Sequence, residues 1–136
     1  MMRCDMGDEF VPRRATKMSA GYDFFAVEDI VIKAGEWTKV DTHVHFDPGT
    51  MKWNQVMLIA PRSSYGFKYG LRLRNTIGVI DADYHDNIGA VLTADEDMII
   101  RKGDKYMQGI IVDYGIASLE IPPSETRKGG VGSTGR

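Results

Sequence analysis

Apolar and polar residues alternate in short runs along this chain, interrupted by glycine, proline and aspartate at the roughly 8–12-residue spacing of a sandwich or barrel. The alternation is plainest over residues 39–46. There Val40, Thr42, Val44 and Phe46 fall on one face of an extended chain and Lys39, Asp41, His43 and His45 on the other, which predicts one half-buried strand. Further strands are predicted over residues 57–60, 71–74, 88–92, 98–101, 107–112 and 116–121, with Gly35, Pro48-Gly49, Gly78, Gly103-Asp104 and Gly115 as turn residues between them. A single helix of a turn or two fits residues 63–69, kept short by Gly66 and Gly70. The expectation is therefore an all-β chain with at most one short helix. After Pro123 the sequence turns to Gly, Ser and Thr with almost no apolar residue, too little to bury a core of its own. Residues 1–123 are expected to form one β-barrel domain and residues 124–136 a flexible arm, either a spent terminus or a segment ordered by ligand.

Composition narrows the picture. A chain of 136 residues suits one domain with a real core. A formal net charge of −2 argues against a dedicated nucleic-acid or membrane-surface binder, because such proteins carry a basic excess. Any anionic ligand must then be met by local cations. Cys4 is the only cysteine, no apolar run reaches transmembrane length, and the start MMRCDMGDEF lacks a signal-peptide core. A reducing, cytoplasmic setting is the expectation.

Candidate chemistry concentrates in a few segments. GVIDADY at residues 78–84 sets Asp81, Asp83 and Tyr84 directly after an apolar run. Taken alone, two carboxylates at i and i+2 form a turn between strands more often than a catalytic pair. PRSS at residues 61–64 offers the Arg62 guanidinium and the Ser63 and Ser64 hydroxyls beside a helix start, a combination suited to phosphate oxygens; the bland alternative is a capping loop. Asn75 in RNT, Asp23 in SAGYD and Gln108 in GDKYMQ each have an ordinary reading as a turn, strand-start or outward strand residue. The tail KGGVGSTGR lacks the Gly-Lys-Ser/Thr ending of a P-loop and has no helix after it. His43 and His45 could share a face, but two ligands make a weak metal site. Cys4 has no activating neighbours and is assigned no catalytic role.

Taken in order, SAGYD, PRSS, RNT-to-GVIDADY, GDKYMQ and GGVGSTG resemble the five motifs of the trimeric dUTP pyrophosphatase (dUTPase) family over nearly the whole chain. The resemblance implies a distorted jelly-roll barrel and hydrolysis of dUTP to dUMP and pyrophosphate, keeping uracil out of DNA and supplying dUMP for thymidylate synthesis. Asp81 would orient and deprotonate the attacking water, with Tyr84 beneath the deoxyribose and Asp83 structural. Arg62, Ser63 and Ser64 would bind the α- and β-phosphates, with Gln108 bordering the phosphate channel. Asn75, Gly78, Val79, Ile80 and Gly89 would contact the nucleoside. Arg127, Val131, Gly132, Ser133 and Thr134 would close over the substrate from the arm. Mg²⁺ would be held mainly by triphosphate and water, Asp23 reaching it only through water. A homotrimer follows from the same resemblance, its fifth motif arriving on an exchanged arm.

Three departures from the family pattern stand out. Val131 occupies the place of a phenylalanine that stacks on uracil in many members, Arg127 lies four residues before Val131, one closer than the arginine of the RGxGGFG form, and Asp86 replaces a common glycine. Two rival readings remain. One is a dCTP deaminase, which needs a glutamate beside the pyrimidine and finds none close after GVIDADY. The other is a regulatory protein that keeps the nucleotide site and signals through a partner protein, as some viral members of the family do.

Overall fold

The structure, a computed structural model, describes residues 1–127. Among the described residues eleven strands and one α-helix follow in chain order, with a 3-10 turn (Asp8–Phe10) after the first strand: β1 (Met2–Cys4), β2 (Tyr22–Phe25), β3 (Ile30–Ile32), β4 (Thr38–Asp41), β5 (Val44–Phe46), β6 (Gln55–Pro61), α1 (Ser63–Tyr69), β7 (Arg72–Leu73), β8 (Gly78–Asp81), β9 (Gly89–Thr93), β10 (Met98–Ile100) and β11 (Lys105–Asp113). No helix among the described residues is long and apolar enough to cross a membrane.

Every ladder is antiparallel, and the pairing is nested: β2 with β11, β3 with β10, β4 with β9. The chain is thus doubled back on itself as a ribbon, and rolling that ribbon up gives a jelly-roll-like barrel. The largest sheet runs β2-β11-β6-β8, a second runs β4-β9-β7, and the pairs β1-β5 and β3-β10 complete the wall. Phe24, Phe46, Met57, Leu92, Tyr106 and Met107 fill the interior with almost no exposure.

The strand expected over residues 39–46 is cut in two. Val40, Thr42, Val44 and Phe46 are all buried, as the alternation requires. At His43, however, the backbone is left-handed, with φ 59°, and the Asp41 carboxylate accepts the His43 N–H at 2.7 Å. The Thr42 hydroxyl donates to the Ile88 carbonyl at 2.7 Å and accepts the Val44 N–H at 3.1 Å. The kink lets β4 pair with β9 while β5 leaves to pair with β1. Alternation reports the face a side chain takes and is blind to such a change of partner.

Two other expectations are corrected. Residues 116–121 form no strand; Ile116, Leu119 and Ile121 are exposed, and Leu119 is left-handed with φ 62°. The ladder stops near the Tyr114 N–H bond to the Asn54 carbonyl, beyond which these residues find no partner strand among the described residues. Gly78 is no turn residue but opens β8 opposite Ile59, and a Cβ there would lie 3.1 Å from the Ile59 Cβ, so close strand approach explains the glycine. Gly115 likewise sits in irregular chain, whereas Gly35, Gly49 and Gly103 do occupy turns. Strands β1, β2, β3 and β8 have no counterpart in the expectation.

Helix α1 falls where expected. Arg62 precedes it in an extended conformation, and Gly70 ends it at φ 66°, donating its N–H to the Gly66 and Tyr65 carbonyls. Tyr65 and Tyr69 turn inward and pack against the core, and the Tyr65 hydroxyl donates to Asp104 at 3.0 Å. Because a left-handed backbone costs a non-glycine residue about 1–2 kcal/mol, and a Cβ would also run into the Asp95 carboxylate, Gly70→Ala is expected to lower stability by at least that amount. A thermal melt of the variant checks this.

Candidate active site

The residues singled out in the sequence gather into two groups, one beyond the Pro61 end of strand β6 and one along its β8 edge, where Asp81 lies farthest away, beside Val56. At the Pro61 end, Gln108 of β11 stands between Asp23 of β2 and Ala60 of β6. Arg62 leaves β6 directly beyond, its N–H bonded to the Tyr106 carbonyl at 3.1 Å. Asp23 is buried and faces two cations, Arg62 Nε at 3.4 Å and Lys105 Nζ at 3.6 Å. A carboxylate held there aims two positive side chains at one place. Gln108 folds over Gly21, where any Cβ would strike its side-chain amide oxygen, and that contact accounts for the glycine in SAGYD. Ser63 and Ser64 sit exposed in the first turn of α1, where peptide N–H groups have no preceding turn to accept them. Guanidinium, ammonium, hydroxyls and open amides together suit phosphate oxygens. Lys105 escaped the sequence reading although it lies inside the GDKYMQ segment; its pairing with Asp23 requires the β2–β11 ladder.

The second group lies on β8, the outer strand of the largest sheet. One row of its peptide groups therefore has no ladder partner among the described residues. Val79 and Asp81 point outward, and Gly78 and Ile80 are half-buried. Asn75 is exposed in the turn before the strand, where its carbonyl accepts the Ile77 N–H at 2.7 Å beside a left-handed Thr76. Gly89 begins β9 opposite Asp41, on a different sheet from β8. After β8 the chain turns through Ala82 and Asp83 to Tyr84, whose ring packs partly against the core.

Arg127, the last described residue, crosses this group. Its Nη2 donates to Asp81 Oδ2 at 2.7 Å, its Nε donates to Asp83 Oδ1 at 2.8 Å, and its guanidinium lies 5.5 Å from the Tyr84 ring centre. The hydrogen bond it donates to Asp83 and the charge of both aspartates push its pKa above the usual arginine value. Asp83, read from sequence as structural, is thus the second anchor of an arginine clamp. Val131, Gly132, Ser133 and Thr134 lie outside the described residues.

Asp81 and Arg62 do not meet. The ladder sets Asp81 beside Val56, and Arg62 lies six residues further along β6, about 20 Å at the usual strand rise. The remaining candidates also separate. His43 faces Asp41 at 4.0 Å and His45 faces Asp5 at 3.5 Å, so the histidines turn to different carboxylates. Burial pushes the Cys4 thiol pKa up, away from thiolate character.

An arginine-held aspartate on one sheet edge and a cationic, hydroxyl-rich turn beyond the end of β6 suit a ligand that carries anionic oxygens. The comparisons agree. The family model described as dUTPase matches residues 9–135. A deoxyuridine 5'-triphosphate nucleotidohydrolase of Nautilia profundicola is 33% identical over 135 residues, covering 95% of this chain and 93% of its own. One from Lactococcus lactis is 37% identical over 134 residues, covering 92% and 87%. The crystal structure of dUTPase from Streptococcus mutans superposes with a TM-score of 0.74 at 28% identity, over 86% of this chain and 98% of that one. The chain belongs to the dUTPase family.

The buried carboxylate of Asp23 holds two cations, and removing it leaves them facing each other. Since both are more than a third exposed, Asp23→Ala is expected to cost about 1–3 kcal/mol, below the figure for a fully buried pair. The denaturation midpoint reads that loss, and weaker binding of a triphosphate ligand should accompany it as Arg62 loses its holder.

Proposed function

We propose that this chain hydrolyses dUTP to dUMP and pyrophosphate, with Asp81 as general base. The observation that carries the reading is Asp81 itself, outward-facing on an edge strand beside Tyr84 in a chain whose family match runs almost from end to end. Water attacks the α-phosphorus and gives its proton to the Asp81 carboxylate. The α–β bridging oxygen leaves with pyrophosphate. Arg127 holds one Asp81 oxygen in the present arrangement; a triphosphate, carrying more charge than a carboxylate, competes for that guanidinium and frees the base. The reading puts the Tyr84 ring under the deoxyribose, where it leaves no room for a 2′-hydroxyl, and sets the uracil against Asn75 and the open edge of β8. The absence of glutamate among residues 81–90 disfavours the deaminase alternative, whose chemistry needs one beside the pyrimidine.

Phosphoryl transfer depends chiefly on positioning and charge neutralisation, and here the positions come from more than one copy. Arg62 lies about 20 Å of strand from Asp81, too far for both to serve one α-phosphorus. The phosphate group of Arg62, Ser63, Ser64 and Gln108 therefore serves the Asp81 of a neighbouring subunit. Exposed Trp53, Tyr114, Ile116, Leu119 and Ile121 supply apolar surface for that association. The family resemblance supports a homotrimer, with residues 124–136 in the role of the closing arm. Bound Mg²⁺ supplies neutralisation of the phosphate charge. Among the described residues no three His, Cys, Asp or Glu side chains converge on a metal position, and both Asp23 oxygens face cations. By the family resemblance the ion would be carried mainly by triphosphate and water, Asp23 reaching it only through water.

Asp81→Asn is expected to bind nucleotide and lower turnover by about 10²–10⁴-fold, the usual contribution of a positioned base. Pyrophosphate release from dUTP and dCTP, with ammonia measured in parallel, tests the reaction; wild-type turnover in the variant removes Asp81 from its role. Co-expressing Asp81→Asn with Arg62→Ala, each inactive alone, is expected to restore about a quarter of the wild-type sites, since mixed oligomers unite the intact halves. No recovery in the mixture, or an active monomer by light scattering, would contradict the shared site.

A further inference from the structure

Steric exclusion of a 2′-hydroxyl works only if the excluding ring cannot move, because the penalty felt by the wrong substrate is the smaller of the clash and the cost of shifting the ring. The segment that carries Tyr84 is accordingly tied down. Its hydroxyl, kept protonated by burial, which raises its pKa, donates to the Asn87 carbonyl at 3.3 Å and closes the turn on itself. The Asn87 side-chain amide then donates to Asp5 Oδ2 at 2.9 Å, just beyond strand β1. Asp5 is itself fixed, its N–H bonded to the His43 carbonyl at 2.9 Å and its other carboxylate oxygen 3.5 Å from His45 Nδ1. On the same turn, His85 Nδ1 meets the Phe46 carbonyl at 2.8 Å, and the Ile88 N–H donates to the Val44 carbonyl at 2.8 Å. Asp86, where a glycine is common in the family, has no positive φ, so the turn needs no glycine there.

Resting on the reading of Tyr84 as the sugar gate, we propose that Asn87 and Asp5 are positioning residues for 2′-deoxy selectivity: through them the N-terminal strand and β5 brace the Tyr84 ring. None of these groups touches the reacting atoms. Loss of the brace therefore softens discrimination between dUTP and UTP and leaves the chemical step intact. The Asn87–Asp5 bond is solvent-exposed, so its effect is a fraction of the whole gate.

Competition kinetics with dUTP and UTP test this. Asn87→Ala and Asp5→Ala are each expected to lower the dUTP-to-UTP ratio of kcat/KM by about three- to tenfold, the range of one modest hydrogen bond, with kcat for dUTP changed less than about twofold. Asp5→Asn keeps an acceptor oxygen for the Asn87 amide and is expected to keep the preference, a rescue that a general loss of stability would not show. Tyr84→Phe, which removes only the hydroxyl, is expected to soften the ratio similarly, and adding Asn87→Ala to it should add little. Tyr84→Leu separates the two readings. If it leaves the ratio unchanged, Tyr84 is not the gate; if it relaxes the ratio while Asn87→Ala, Asp5→Ala and Tyr84→Phe all retain full preference, the gate stands and the brace is overturned.

Discussion

Strand β6 is paired along both edges, with β11 from Pro61 to Gln55 and with β8 from Ile59 to Val56, and the rest of the molecule depends on that double ladder. A register slip of one residue would turn every side chain of β6 to the opposite face. The buried Met57 and Ile59 set that register. With it come the place of Arg62 at one end of the strand, the place of Asp81 at the other, and the stretch of sheet between them. A barrel wall this regular cannot bend its two ends together. The distance that keeps Arg62 from Asp81 of the same chain is thus a consequence of the same hydrogen bonds that hold the sheet.

Charge is arranged in opposite senses at the two ends. At the Arg62 end one buried aspartate gathers two cations, leaving a net positive place for an anion. At the Asp81 end two half-exposed aspartates gather one arginine, leaving a net negative place whose cation can be drawn away by a stronger anion. Neither end follows from the chain's net charge of −2. Local placement of a few groups outweighs the overall balance.

The exposed apolar residues after β11 belong to the same account. Ile116, Leu119 and Ile121 form an apolar run that would be costly to leave in water in a monomer. Their exposure is the structural ground on which the proposed association with a neighbouring subunit rests.

The all-β class, the helix at Ser63–Tyr69 and the buried set Val40, Thr42, Val44 and Phe46 were determined by the sequence itself, because period, glycine placement and apolar content act within a few residues of chain. The ordered motifs likewise named Asp81, Tyr84, Arg62 and Gln108 without any structure. Tertiary structure alone decided which of them meet. The break at His43, the change of Gly78 from turn to edge strand, Lys105 beside Asp23, and Arg127 across Asp81 and Asp83 all join residues distant in sequence, or answer to a partner strand that local pattern does not specify. The same holds for Asn87 and Asp5, 82 residues apart. Nothing near either one marks it, since the bond exists only after β1 has paired with β5 and the Tyr84 turn has come to rest on both.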